Sequence, residues 1–82
     1  MPAEIEYKAS VERDLRKLGK PAARQVMDRL EQVLSMDPDR GMPLKGEYAG
    51  LFKLRIGDYR VIHAKTRDGV LVLRIGHRKN VY

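Results

Sequence analysis

Gly50-Leu-Phe-Lys-Leu-Arg-Ile-Gly-Asp-Tyr-Arg-Val-Ile-His63 is the stretch on which the fold turns. Phe52, Leu54 and Ile56 fall on one side of an extended chain and Leu51, Lys53 and Arg55 on the other, the period of two that belongs to a half-buried strand. Gly57-Asp58 is a tight turn into a second strand, Tyr59 to Lys65, and Asp68-Gly69 turns again into a third, Val70 to Gly76. Three strands joined this way make an antiparallel meander. In the third, Leu71, Leu73 and Ile75 share one face, while Val70, Val72, Arg74 and, if the strand persists, Arg78 share the other. The middle strand is less distinct, because Tyr59, Val61 and His63 alternate with Arg60, Ile62 and Ala64.

Upstream of the meander the period changes. Glu4 to Lys8, with Ile5 and Tyr7, reads as a short first strand. Ser10 then offers an N-cap with Glu12 and Asp14 in the first turn, Val11, Leu15 and Leu18 recur at helical spacing, and Gly19 supplies a stop. Pro21 suits the first turn of a second helix, whose Ala23, Val26, Met27, Leu30, Val33 and Leu34 form one apolar stripe. Met36-Asp-Pro38 ends it, and residues 39–47, with Gly41, Pro43 and Gly46, read as a loop. The expected fold is α+β: an N-terminal strand, a two-helix hairpin and a three-stranded meander, with the hairpin on one face of a mostly antiparallel sheet. A single domain over residues 1–82 is expected from the length.

Composition removes several classes of function. Of the 82 residues 43% are hydrophobic, enough for a core and too many for a disordered polycation. Without cysteine there is no disulfide framework, thiol nucleophile or thiolate zinc site, and two histidines alone do not make a metal cage. No metal or other cofactor is implied. No apolar run approaches the roughly 18 residues that span a bilayer, and the first residues lack the pattern of a signal peptide, so a soluble cytoplasmic protein is expected.

The net charge of +6 is unevenly distributed. Residues 1–40 hold eight basic and eight acidic side chains; residues 41–82 hold nine cations and three anions. Helices covering the face with Phe52, Leu54, Leu71, Leu73 and Ile75 would leave Lys53, Arg55, Arg74 and Arg78 on the opposite one. Cations on adjacent strands sit about 5 Å apart, and a polyphosphate ligand would relieve their repulsion. A nucleic-acid face is therefore expected in preference to random solvation.

Pro43-Leu-Lys-Gly46, the quoted stretch from Gly50 to His63, and Ile75-Gly-His-Arg-Lys-Asn-Val-Tyr82 together resemble the RelE family of bacterial and archaeal toxins. The resemblance implies the RelE/ParE fold, a toxin neutralised by a cognate antitoxin, and cleavage of messenger RNA in the ribosomal A site. It places the family's catalytic lysine on Lys53, its strand arginine on Arg60, its C-terminal arginine on Arg78 and its base-stacking tyrosine on Tyr82. At position 51, where some members have a second lysine, this chain has Leu51.

These residue types suit the chemistry. In RNA self-cleavage the 2′-hydroxyl attacks the adjacent phosphate, so the catalyst must position that attack, stabilise added negative charge and move protons. Arg60 and Arg78 supply planar guanidinium forks for phosphate oxygens, and their permanent charge makes them poor proton carriers. Lys53, crowded by Arg55, Arg60 and Arg78, is the candidate base; His77 is a second candidate, since imidazole exchanges protons near neutral pH. Strand alternation, however, points His77 away from Arg78. Lys45, Arg55, Arg74 and Lys79 are assigned to RNA binding, with Arg55 and Arg74 read as phosphate-positioning or antitoxin-contacting residues and not as chemical ones. His63, in phase with Tyr59 and Val61, is read as a satisfied, partly buried histidine, Tyr7 and Tyr59 as structural tyrosines, and Asp58 as a turn residue. Two other functions share the pattern: a ParE-like gyrase inhibitor that acts by binding, and an RNA-binding relative without turnover.

Overall fold

The apolar stripe of the second helix becomes the centre of the core. The computed structural model describes residues 2–79. In chain order the elements are β1 (Glu4–Tyr7), α1 (Ser10–Leu18), α2 (Lys20–Met36), β2 (Met42–Pro43), a single 3-10 turn (Gly46–Tyr48), β3 (Leu51–Ile56), β4 (Tyr59–Lys65) and β5 (Gly69–His77). The expected α+β architecture stands with one strand added, because the segment read as a loop contains β2. The strands form one sheet in the order β1-β5-β4-β3-β2; β1 runs parallel to β5 and every other neighbour is antiparallel.

Val26, Leu30 and Leu34 recur every fourth residue of α2 and are fully buried. With Val11 of α1 they pack on Leu54, Ile56, Val61, Val70, Val72 and Ile75 of the sheet. Burying each of these side chains contributes about 1.5–3 kcal/mol, so this face holds the helical hairpin in place. No helix among the described residues is long and apolar enough to cross a membrane.

Two local expectations change. Ser10 is the first residue of α1 and not its cap; its hydroxyl donates to the Leu73 carbonyl at 3.4 Å. Asp14 likewise serves the sheet, its Oδ2 accepting the Ile75 N–H at 3.0 Å. The second change concerns the faces of β5. Leu71 and Leu73 were expected to face the helices, but Val70 and Val72 are the buried residues. The cause is a bulge: His63 pairs with Val72 while the preceding Ile62 pairs with Arg74, so Leu73 has no partner across the ladder. One unpaired residue reverses the alternation, and Val72 and Ile75, three positions apart, both reach the core.

Candidate nucleic-acid interface

Ladder register fixes which side chains share the sheet face that the helices leave open. Lys53, Ile62 and Arg74 form one cross-strand row, and Arg55, Arg60 and Gly76 form the next. Directly opposed residues project to the same side with Cβ atoms about 4.5–5.5 Å apart. Ile62 is on this open face yet only 1% exposed; its position between Lys53 and Arg74 fits cover by their aliphatic stems, which lie along apolar surface while the charged ends stay in water.

A cleft of about 720 Å³ opens beside the first row, lined by Asp37, Asp39, Arg40, Gly41, Met42, Lys53, Leu54, Arg55 and Arg60. That volume suits a nucleotide-sized ligand. Its sheet wall carries Lys53, Arg55 and Arg60, none of which forms a salt bridge among the described residues. Arg60 Nη1 donates to the Gly57 and Tyr59 carbonyls at 3.3 and 3.1 Å, which orients the guanidinium near the β3–β4 turn. The structure therefore brings Lys53, Arg60 and Arg55 together.

The remaining sequence-derived residues are placed around that centre. Arg78 lies just past β5, and its backbone N–H donates to the Asp58 carbonyl at 2.8 Å, which brings its backbone to the same hairpin turn as Arg60. Arg74 is exposed and borders a separate groove with Asp14, Lys17, Leu18, Tyr59, Ile75, Gly76 and His77. His77 pairs with Tyr59 and meets its ring edge-on at 5.8 Å, and its Nδ1 accepts the Lys79 N–H at 3.3 Å. Tyr59 packs against the core, so His77 faces the helix side and not the cleft. Lys45 and Lys79 are exposed and border no part of the cleft. Tyr82 lies outside the described residues.

The opposite wall was missing from the sequence reading. Residues 37–42 carry no periodicity, and a two-residue strand is too short to leave one. What holds this connection is a small cluster. Asp39 pairs with Lys65, whose Nζ stands 5.1 Å from the centre of the Phe52 ring. Phe52 in turn stacks on His63, with centroids 5.8 Å apart and 19° between planes. Gly41 passes over this stack at φ 119°; a Cβ there would lie 3.2 Å from both His63 Nε2 and the Lys53 carbonyl, so glycine alone fits without adjustment.

His63 itself departs from the expectation of a satisfied, partly buried histidine. It is 0% exposed, and neither ring nitrogen has a well-aligned hydrogen-bond partner among the described residues. Burial holds its pKa below the ordinary value; the Arg40 carbonyl acts in the other direction, and the Lys65 charge lowers it further. At neutral pH it is an uncharged packing residue.

Comparison with known proteins places this chain in a family. Residues 5–82 match the family model described as ParE toxin of type II toxin-antitoxin system. The chain is similar to Toxin RelG of Mycobacterium tuberculosis, with 34% identity over 85 aligned positions that cover 100% of this chain and 98% of that protein. The crystal structure of the M. tuberculosis toxin-antitoxin complex RelBE2 contains a chain that superposes with a TM-score of 0.87 at 33% identity, covering 95% of this chain and 100% of that one. The isolated RelE toxin of E. coli shares the fold, with a TM-score of 0.70 at 21% identity over 92% of this chain and 83% of that one. The chain belongs to the RelE/ParE superfamily of type II toxin-antitoxin toxins.

Proposed function

We propose that this toxin is a ribosome-dependent messenger RNA endonuclease, held inactive by a cognate antitoxin. The observation that carries the reading is the cleft wall of Lys53, Arg55 and Arg60, three cations on adjacent strands with no carboxylate in salt-bridge range among the described residues. Such a wall is complementary to phosphates. Similarity to a curated RelG toxin, and to a chain crystallised in a toxin-antitoxin complex, supports both the toxic activity and the antitoxin partner.

In this reading the 2′-oxygen attacks the adjacent phosphorus and the bond to the 5′-oxygen breaks, leaving a 2′,3′-cyclic phosphate and a 5′-hydroxyl. Lys53 in its unprotonated form takes the 2′-hydroxyl proton, and the leaving 5′-oxygen takes one from solvent water. Arg60 stabilises the charge that accumulates on the phosphate oxygens, with Arg78 completing the clamp from the neighbouring turn. Arg55 and Arg74 hold flanking phosphates, with Lys45 and Lys79 at the margins, and Tyr82 stacks on a base. Proton transfer is given to Lys53 in preference to His77, because His77 faces the helix side of the sheet.

The test adds purified toxin to translating ribosomes and maps the ends of the message. Cuts within A-site codons that vanish in folded Lys53→Ala and Arg60→Ala variants support the proposal. The matching family carries the ParE name, which makes gyrase inhibition the second reading. Intact messages together with inhibited DNA supercoiling would establish that reading in place of the nuclease.

A further inference from the structure

The cleft has two walls of different chemistry, and the nuclease reading uses only one. On the other, Met42 of β2 stands directly opposite Lys53 in the ladder, so the two side chains leave the sheet on the same side. Met42 is 65% exposed, one of two large hydrophobic residues so exposed in the described chain. Core packing does not explain an apolar side chain there, since Met42 is not part of the hydrophobic cluster under the helices. Its surroundings are otherwise charged: Lys53 beside it in the ladder, with Arg55, Arg60, Asp37, Asp39 and Arg40 also lining the cleft.

We infer that Met42 is the floor of a nucleobase subsite, on which the face of one RNA base packs while Lys53 holds a neighbouring phosphate. This deepens the nuclease reading and rests on it. Charge gives the polarity. Phosphates belong on the sheet wall, whose three cations form no salt bridge among the described residues; on the loop wall Asp39 is paired with Lys65 and the charge of Arg40 is offset by that of Asp37, so that wall has no net positive charge to draw them. What a strand anchored on the sheet wall turns toward the loop is therefore the base. A thioether on an unbranched chain packs against aromatic faces of varied shape, without reading their hydrogen-bonding edges. The subsite thus contributes affinity for any base and discriminates a base from its absence.

The β2–β3 pairing of Met42 with Lys53 and of Pro43 with Phe52 sets the spacing of Met42 from Lys53, and the close passage of Gly41 beside His63 adds a second contact. Met42 is accordingly held on a braced segment, which lowers the entropic cost of ordering the base against it.

The experiment measures binding of a fluorescently labelled short single-stranded RNA, and of the same RNA with one abasic ribose placed at each position in turn. Wild type, Met42→Ala, Met42→Leu and Lys53→Ala are compared at one salt concentration, with circular dichroism to establish that each is folded. Met42→Ala is expected to weaken binding of the intact RNA about two- to tenfold, and to have no effect on the oligomer that lacks the base at one particular position. Met42→Leu keeps most of the affinity, and Lys53→Ala weakens binding to every oligomer. Equal loss on intact and abasic RNA, or no loss on either while wild type binds, overturns the subsite. A Met42→Ala defect confined to binding of the antitoxin also overturns it, by making Met42 a protein contact. Failure of wild type to bind any of these RNAs overturns a subsite that holds a base of free RNA, while ribosome-dependent cleavage is read separately by the mapping of message ends, so the two failures are distinguishable.

Discussion

Asp14 Oδ2 accepts the Ile75 N–H at 3.0 Å, closing from helix α1 a strand edge that β1 does not cover. The β1–β5 ladder runs only from the Glu4–Gly69 pair to the Tyr7–Val72 pair, and Lys8 donates the last backbone bond of that seam to the Val72 carbonyl. Beyond it, Ser10 and Asp14 supply side-chain partners in place of a strand. Asp14→Ala is expected to destabilise the fold by about 1.5–3 kcal/mol, because a charge-assisted bond is lost and a partly buried donor is left alone. Urea midpoints read the change; Asp14→Asn, which keeps an acceptor, should recover part of it.

His63 makes stability sensitive to acid. The unfolded chain binds a proton near the ordinary histidine value of 6.5, whereas the folded chain keeps this buried ring neutral to lower pH. The unfolded state therefore binds more protons, and stability present above pH 6.5 is lost as pH falls through the window below it, levelling off at the folded-state pKa. His63→Leu should remove that part of the acid loss while staying within about 1.5 kcal/mol of wild type at neutral pH, since no well-aligned hydrogen bond to a ring nitrogen is lost among the described residues. Paired urea titrations at neutral and mildly acidic pH provide the check, with His77 common to both proteins.

Gly69 is buried where β1 and β5 meet. A Cβ at this position would approach the Glu4 backbone oxygen, nitrogen and carbon closer than 3.0 Å, and backbone cannot move aside as a flexible side chain would. Gly69→Ala should detach β1 or unfold the chain, with a cost of several kcal/mol, on the order of the largest core defects. Loss of amide-exchange protection at Glu4–Tyr7, with β3 and β4 still protected, would identify the local outcome.

Lys53→Ala and Arg60→Ala should each lower the rate of message cleavage about 10²- to 10⁴-fold. Arg60→Lys should recover little, because an ammonium keeps the charge but loses the planar fork. Single-turnover assays on ribosomes give the rates; an Arg60→Lys enzyme as fast as wild type would remove the fork from the mechanism.

Binding of single-stranded RNA should weaken steeply with salt. Three phosphate contacts to Lys53, Arg55 and Arg60 give a slope of log affinity against log salt of about −2. Arg55→Ala should make that slope shallower by about 0.7, one phosphate's share, which a fluorescence titration across salt concentrations resolves.

The amino-acid pattern by itself determined the helices and the meander, because Leu30 and Leu34 repeat at a helical spacing and Phe52, Leu54 and Ile56 at a strand spacing, and such periods are local properties of the chain. It also determined that Lys53 and Arg55 share a strand face. Only the tertiary structure decided which side of β5 faces the helices, since the bulge opposite Ile62 and His63 arises from pairing between strands and leaves no mark on either alone. The same holds for the second cleft wall. Met42 meets Lys53, and Gly41 covers His63, through contacts between residues far apart in sequence, which depend on where a non-periodic connection comes to rest against the finished sheet.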